Sequence, residues 1–320
     1  MKISLAPKVI KGDVRATAQL IRRIDDGDRD VFDDLAVLYK HSGRAHIVGF
    51  TGSPGVGKST LVDRVVTKYR EDGKTVGILA IDPTSPFTGG AILGDRIRMQ
   101  KHFLDEGVFI RSMATRGKFG GLTRSTADAM VVLDAMGKDV IVIETVGVGQ
   151  DEVDIANSAH TTVLVTIPGM GDDIQAIKAG LMEIGDIFVV NKADREGAGK
   201  TIRELNFMLH MSSERYVASG WVPPVIDTIA PTNQGIDGLY ETINRHREHL
   251  FQCCRDELIK KEETRVRNQL MDLLKEGLME TALQRIGGIE GLNGCVKEIV
   301  NREKDPYGVT FDLLKKLLGG

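Results

Sequence analysis

The sequence lacks most of what would tie a chain to a specialised environment. Three cysteines (Cys253, Cys254, Cys295) among 320 residues cannot make a disulfide framework, which excludes a small stapled scaffold and fits a reducing compartment. The opening stretch MKISLAPKVIKGDVRATAQL has no apolar core of the kind a signal peptide needs. No run approaches the ~20 apolar residues of a membrane span. Net charge is −3 with lysine and arginine scattered, so no basic field argues for nucleic acid or an anionic membrane as partner. There is no internal repeat and no low-complexity linker. A cytoplasmic location is the expectation, or the mitochondrial matrix for a chain from which a transit peptide was removed.

What is present describes an ordinary globular core, with 42% hydrophobic and 27% charged residues. Residues 1–45 read as a helical arm, because ATAQLIRRI and VFDDLAVLYKH space apolar residues by three and four. From His46 the texture becomes β-rich, in HIVGFTG, TVGILAID, VFIRSMA, DVIVIETV, TTVLVTIP, DIFVVNKAD and PPVIDTIA. Helix-compatible stretches separate most of these runs. Residues 46–250 are therefore expected to form a doubly wound α/β domain with a mainly parallel sheet. Residues 251–320 read as a helical extension in which Leu258, Val266, Leu270, Leu273, Leu274 and Leu278 share a stripe. A stripe without an obvious partner in the α/β domain points to dimerisation. The pair Gly287 and Gly288 breaks this helix, and DPYGVTFDLLKKLL supplies a last one.

GSPGVGKST, from Gly52 to Thr60, follows one of these strands and opens a helix. Gly52, Gly55 and Gly57, with Ser53, Pro54 and Val56 between them, let the backbone curl its N–H groups around phosphate oxygens. The helix N-terminus adds its dipole. Lys58 is expected to reach the β- and γ-phosphates, and the hydroxyl of Ser59 to bind Mg²⁺. Glu144 ends the run DVIVIE, and a carboxylate there is costly unless something positive lies opposite. A magnesium ion beside the phosphates answers that need. Asp82 and Asp95 compete for the same ion. Between them lies PTSPFTGGAILG, whose composition is that of a mobile loop and whose acid could act as a switch. Asp95 fits equally well as the N-cap of RIRMQKHF.

The base is read from IFVVNKAD. In an N-K-x-D loop the carboxylate of Asp194 accepts from the guanine N1–H and N2–H₂ edge, which adenine lacks. Asn191 belongs to the same loop, and Lys192 can lay its alkyl stem over the base. Backbone N–H groups near Ile229 and Ala230, after PPVIDTIA, are expected to close over the base edge. GTP and GDP are thus the expected nucleotides.

With these motifs placed, the chain resembles the methylmalonyl-CoA mutase-associated GTPases, the MeaB/ArgK-type metallochaperones. The resemblance runs through GFTGSPGVGKSTL, AIDPTSPFTGGAILGDRIRM, RGKFGGLTRST, VIVIETVGVGQDEVDIA, PGMGDDIQAIKAGLMEIGDIFVVNKAD and DPYGVTFDLL. It implies a homodimeric GTPase that gates cofactor loading, protection and reactivation of a coenzyme-B12-dependent acyl-CoA mutase. It also implies Mg²⁺ ligation by Ser59, Asp82, Asp95 and Glu144. Asp172, Gln175 and Lys178 match a switch loop of the family whose lysine is linked to stimulated hydrolysis. The Ser-Ala pair usual in the last guanine loop is replaced by Ile229 and Ala230, so Ile229 can offer only its backbone.

The loop after Glu144 bears on rate. In Ras-like enzymes a glutamine after the loop glycine orients the attacking water. Here Val148 follows Gly147 and Gln150 lies beyond a second glycine, so intrinsic hydrolysis is expected to be slow and client-stimulated. Two other readings compete. A P-loop kinase linked to amino-acid transport would need an acceptor lid, for which RGKFGGLTRST is the candidate. A nickel-inserting GTPase would need soft ligands, and His246, His249 and Cys253 are the nearest set.

Overall fold

The computed structural model describes residues 4–82, 99–114, 124–145, 151–169, 183–212, 214, 216 and 220–318. The chain divides into two compact units, Met1–Glu263 and Thr264–Gly320.

The first unit is built on seven strands: β1 (His46–Thr51), β2 (Val76–Asp82), β3 (Val108–Ala114), β4 (Val140–Thr145), β5 (Thr161–Thr166), β6 (Ile187–Asn191) and β7 (Val225–Thr228). They form one sheet in the order β3-β2-β4-β1-β5-β6-β7, and every pairing is parallel. This is the doubly wound α/β sheet expected from the sequence. The order reverses at β1, with β4 on one side and β5 on the other. The carboxyl ends beside such a switch point are where this architecture opens a crevice.

Buried residues alternate cleanly between the two faces. Ile47, Leu79, Ile141 and Ile143 enter one hydrophobic cluster, while Val48, Phe50, Ile78 and Val142 enter the other, as the two-residue period of a strand requires. On the first face lie α1 (Ala6–Ile10), α2 (Val14–Asp25) and α3 (Phe32–Tyr39). The second face is covered by α4 (Lys58–Glu71). Beside α1 to α3 packs α5 (Arg124–Ala135), followed in the chain by α6 (Asp151–Ser158). The residue before α2, Asp13, caps it by accepting from the N–H of Ala16 at 2.9 Å. The first three helices thus share a core with the sheet. Fully buried Phe50 anchors the second face and Phe188 of β6 a smaller cluster with Leu164, Leu205 and Leu209, each contributing about 2–3 kcal/mol by leaving water.

Two further helices, α7 (Ala198–Met211) and α8 (Ile236–Gln252), complete the first unit, and α9 (Arg255–Arg285) begins at its end. The second unit continues with α10 (Gly288–Val300) and α11 (Pro306–Leu318). It leaves many apolar side chains exposed, among them Leu270, Leu274, Leu278, Ile289, Val300 and Phe311.

Candidate nucleotide site

The loop Gly52–Gly57 leaves β1 and delivers α4, whose first residue is Lys58. Its path demands glycine at two points. Gly52 has φ +137, and an added Cβ would lie 2.0 Å from the carbonyl oxygen of Val165 on β5. Gly57 has φ +97, and its Cβ would meet the Asn191 amide at 2.5 Å. No side chain fits either place. The N–H groups of Gly55, Val56 and Gly57 donate to nothing in the described structure. A row of unengaged amides at a helix N-terminus is an anion cradle.

Lys58 is buried, and its ammonium donates to the carbonyls of Gly52 (2.6 Å) and Ser53 (3.0 Å). It therefore lies folded over the loop in which phosphate would sit. Ser59, also buried, donates its hydroxyl to Oε1 of Glu144 at 2.6 Å. Glu144 comes from β4, next to β1 in the sheet, so parallel pairing carries its acid to the P-loop from 85 residues away. Beneath this pair Thr145 donates to Thr51 at 3.2 Å, joining the ends of the two strands. A hydroxyl and a carboxylate are hard oxygen donors, the set that suits Mg²⁺. Asp82 closes β2, but its side chain lies outside the described residues. So do Asp95, Asp172, Gln175, Lys178 and the loop containing Gln150.

The N-K-x-D loop follows β6 and is tied tightly to its neighbours. Asn191 is buried; its Nδ2 donates to the carbonyl of Val56 at 2.8 Å, and its Oδ1 accepts from the Thr228 hydroxyl (3.1 Å) and the Ala230 N–H (3.3 Å). Lys192 takes the left-handed conformation, φ 56, and its ammonium donates to Gly55 at 2.7 Å. One asparagine and one lysine thus lock the phosphate loop, the base loop and the loop after β7 into a single piece. Asp194 is exposed and has no partner in the described structure, which leaves its carboxylate open to a ligand.

The loop after β7 is folded on itself, and the competing nickel reading lacks a converging ligand set among the described residues. The N–H of Ile229 already donates to Gln234 (3.0 Å) and that of Ala230 to Asn191, so neither is open to a base edge in this conformation. The 3-10 turn from Ala230 to Thr232 brings this about, because it folds the loop back on itself. The soft-ligand set does not converge either. His246 is buried with Nδ1 at 2.9 Å from the Thr161 hydroxyl, while His249 meets Cys254 rather than Cys253, at 3.2 Å. Among the described residues no group of three or more His, Cys, Asp or Glu could hold a metal ion. Asn191 was expected only as part of a base-reading motif; its reach to Val56 was not foreseen.

A glycine loop between β1 and α4, a strand-end carboxylate beside it and an N-K-x-D loop locked to both define a P-loop GTPase. A sequence model of the family described as methylmalonyl Co-A mutase-associated GTPase MeaB matches residues 26–286, and the chain belongs to that family. A GTPase by description from Pyrococcus abyssi is 49% identical over 319 residues, 99% of this chain and 97% of its own. The mouse protein described as methylmalonic aciduria type A homolog, mitochondrial, is 34% identical across 73% of this chain and 56% of its own. Among solved structures, that of an LAO/AO transport system kinase superposes with a TM-score of 0.63 at 22% identity, covering 97% of this chain and 95% of its own. That likeness establishes the fold.

Proposed function

We propose that this GTPase is a guanine-nucleotide switch acting on a coenzyme-B12-dependent acyl-CoA mutase, gating its cofactor loading, protection and reactivation. The family description, a GTPase associated with methylmalonyl-CoA mutase, supports the class of partner. The observation that carries the switch is the lock at Asn191, which makes the phosphate loop and the two base-side loops one body. Nucleotide bound to such a body is sensed by whatever touches it. Asp194 reads the guanine edge, and Lys58 leaves its carbonyls to meet the β- and γ-phosphates. Ser59 and Glu144, with Asp82 and Asp95, would hold Mg²⁺, which neutralises charge on the transferring phosphoryl group when bound. Asp172, Gln175 and Lys178 supply the stimulated step.

Two copies act together in this reading. The exposed apolar residues of α9 to α11 favour a homodimer, since apolar surface of that extent marks an interface. No helix of the described residues is long and apolar enough to cross a membrane.

Single-turnover GTP hydrolysis, measured alone and with methylmalonyl-CoA mutase, tests the proposal. Acceleration of about 10³-fold is expected, the scale at which one added cation acts in related enzymes, and Lys178→Ala should abolish it. Binding without acceleration would remove the mutase from the account. GDP release with no phosphorylated acceptor separates this reading from a kinase.

A further inference from the structure

The end of β4 is fastened to the P-loop from both faces of the sheet. Backbone register between β1 and β4 runs from His46 opposite Val140 to Phe50 opposite Glu144. Side chains alternate along a strand, so Glu144 and Thr145 leave β4 on opposite faces. Glu144 lies on the face covered by α4, where its Oε1 accepts from Ser59 at 2.6 Å. Thr145 lies on the other face, with Ile141 and Ile143, and its hydroxyl donates to that of Thr51 at 3.2 Å. Thr51 is the last residue of β1 and the neighbour of Gly52. Two consecutive residues of β4 thus grip the P-loop at its two ends, Thr51 before it and Ser59 beyond it.

Both threonines are 0% exposed. On their face α6 closes over β1, so tightly that a Cβ on Gly49 would lie 2.9 Å from Cγ1 of Ile155. Neither hydroxyl reaches bulk water. A buried parallel strand favours valine, which has the shape of threonine without the hydroxyl. Replacing a buried hydrogen-bonded pair by two apolar groups of the same shape leaves stability nearly unchanged or raises it. The pair therefore adds little to the stability of the fold. What it adds is placement. A hydrogen bond fixes distance and direction between the two strand ends, where two valines would only touch. Those ends lie one residue from Glu144 and one residue from Gly52.

We propose that Thr51 and Thr145 are positioning residues for GTP hydrolysis. Their bond sets the end of β4 so that the Glu144 carboxylate stays on Ser59, where both would meet Mg²⁺. Groups that hold a metal ligand from behind tune its affinity for the ion. The inference rests on the reading of Ser59 and Glu144 as ligands, and Glu144→Gln separates the two.

Mg²⁺ binding to the full chain in its GDP complex, followed by calorimetry, tests the proposal alongside the denaturant midpoint of the same proteins. Thr145→Val should raise the Mg²⁺ concentration for half-saturation roughly tenfold, as should Thr51→Val. Thr145→Ser keeps the hydroxyl and should bind Mg²⁺ like the parent. Each single valine variant leaves one buried hydroxyl alone and should unfold more readily, whereas the double valine variant should regain the parent midpoint. It should nevertheless keep the loss of Mg²⁺ affinity. Recovery of that affinity together with stability would make the pair merely structural and overturn the proposal.

The same double substitution in the Glu144→Gln background should cost no further Mg²⁺ affinity, because the pair acts through Glu144. A full additional loss there would also overturn it. Should Glu144→Gln alone leave Mg²⁺ binding unchanged, the ligand reading fails, and the carboxylate is followed directly. Its carbon-13 resonance in the metal-free chain should then shift in the double valine variant and return in Thr145→Ser. A resonance that does not move would show that the threonines do not place Glu144.

Discussion

Ser59 of the P-loop helix and Glu144 of β4 are joined by a buried hydrogen bond of 2.6 Å. The bond sets one strand-end carboxylate beside the hydroxyl through which a P-loop enzyme holds its metal ion. Glu144→Gln keeps an oxygen to accept from Ser59, so the fold should survive, but it removes the negative charge. The Mg²⁺ concentration for half-maximal GTP hydrolysis should rise roughly 10–100-fold. An unchanged magnesium dependence would assign Glu144 a purely structural role.

Asn191 makes a different prediction, because it touches three loops. Asn191→Ala leaves the Val56 carbonyl and the Thr228 hydroxyl without their partner in a buried setting. The loss should be about 2–3 kcal/mol of stability, and nucleotide affinity should fall for GTP and xanthosine triphosphate alike. A variant that discriminated between the two bases would show Asn191 reading the base instead of bracing the loops.

Asp194 should behave in the opposite way. It is exposed and outside the bracing network, so Asp194→Asn should leave stability unchanged. The new amide can donate to the 2-oxo group of xanthine, so preference should swing from GTP to xanthosine triphosphate by roughly 3 kcal/mol, a factor of about 10². Competition binding measures it, and retained GTP affinity would sink the guanine assignment.

These three residues show how legible the site was. A motif is local, so the phosphate loop, Asp194 and the strand-end acid could be read from neighbours in the sequence. All seven strands could be read too, since a run such as VIVIE buried on both faces admits few other structures. Contacts between loops are another matter. The partner of Asn191 lies 135 residues away, and nothing in either segment names the other. Two helices were not delimited, although both lie in stretches read as helical. Five-residue α1 is too short to show a period. In α10, Gly291 and Gly294 lower the helix propensity of GIEGLNGCVKEIV, so Gly287 and Gly288 read as an end when they also begin a new helix. The buried chain from His46 through Thr161 to His246 was invisible for the same reason as Asn191, because it exists only once strands β1 and β5 pair.

That chain carries a pH prediction. Burial pushes His246 down to about 4, against the pull of Asp186, with Lys261 and His249 adding to the fall. The unfolded chain, with its histidine near the ordinary value of about 6.5, binds a proton that the fold refuses. Stability should therefore be full above about pH 6.5 and decline as pH falls toward 4, by about 3 kcal/mol from this residue. His102, raised mainly by its hydrogen bond to Asp63, works in the opposite sense and flattens the curve. Denaturant unfolding across this range measures the slope, and His246→Gln should reduce it. Equal slopes in the two proteins would place the acid sensitivity elsewhere.

The second unit bears on assembly. Leu270, Leu274 and Leu278 of α9 are 55%, 50% and 65% exposed, and Ile289, Val300 and Phe311 of the following helices are more than half exposed. Surface of this kind costs about 25 cal/mol for each Å² left in water, and a second copy of the same helices can cover it. The intact chain should sediment as a dimer. Leu274→Lys with Leu278→Lys should dissociate it, since two buried lysines without partners cost more than the apolar contacts return. Removing residues 264–320, the whole of that unit, should give a monomer that still binds GDP through loops lying in the first unit. Sedimentation of the intact chain as a monomer would mean that these helices face another molecule, and would leave the mutase itself as the first to try.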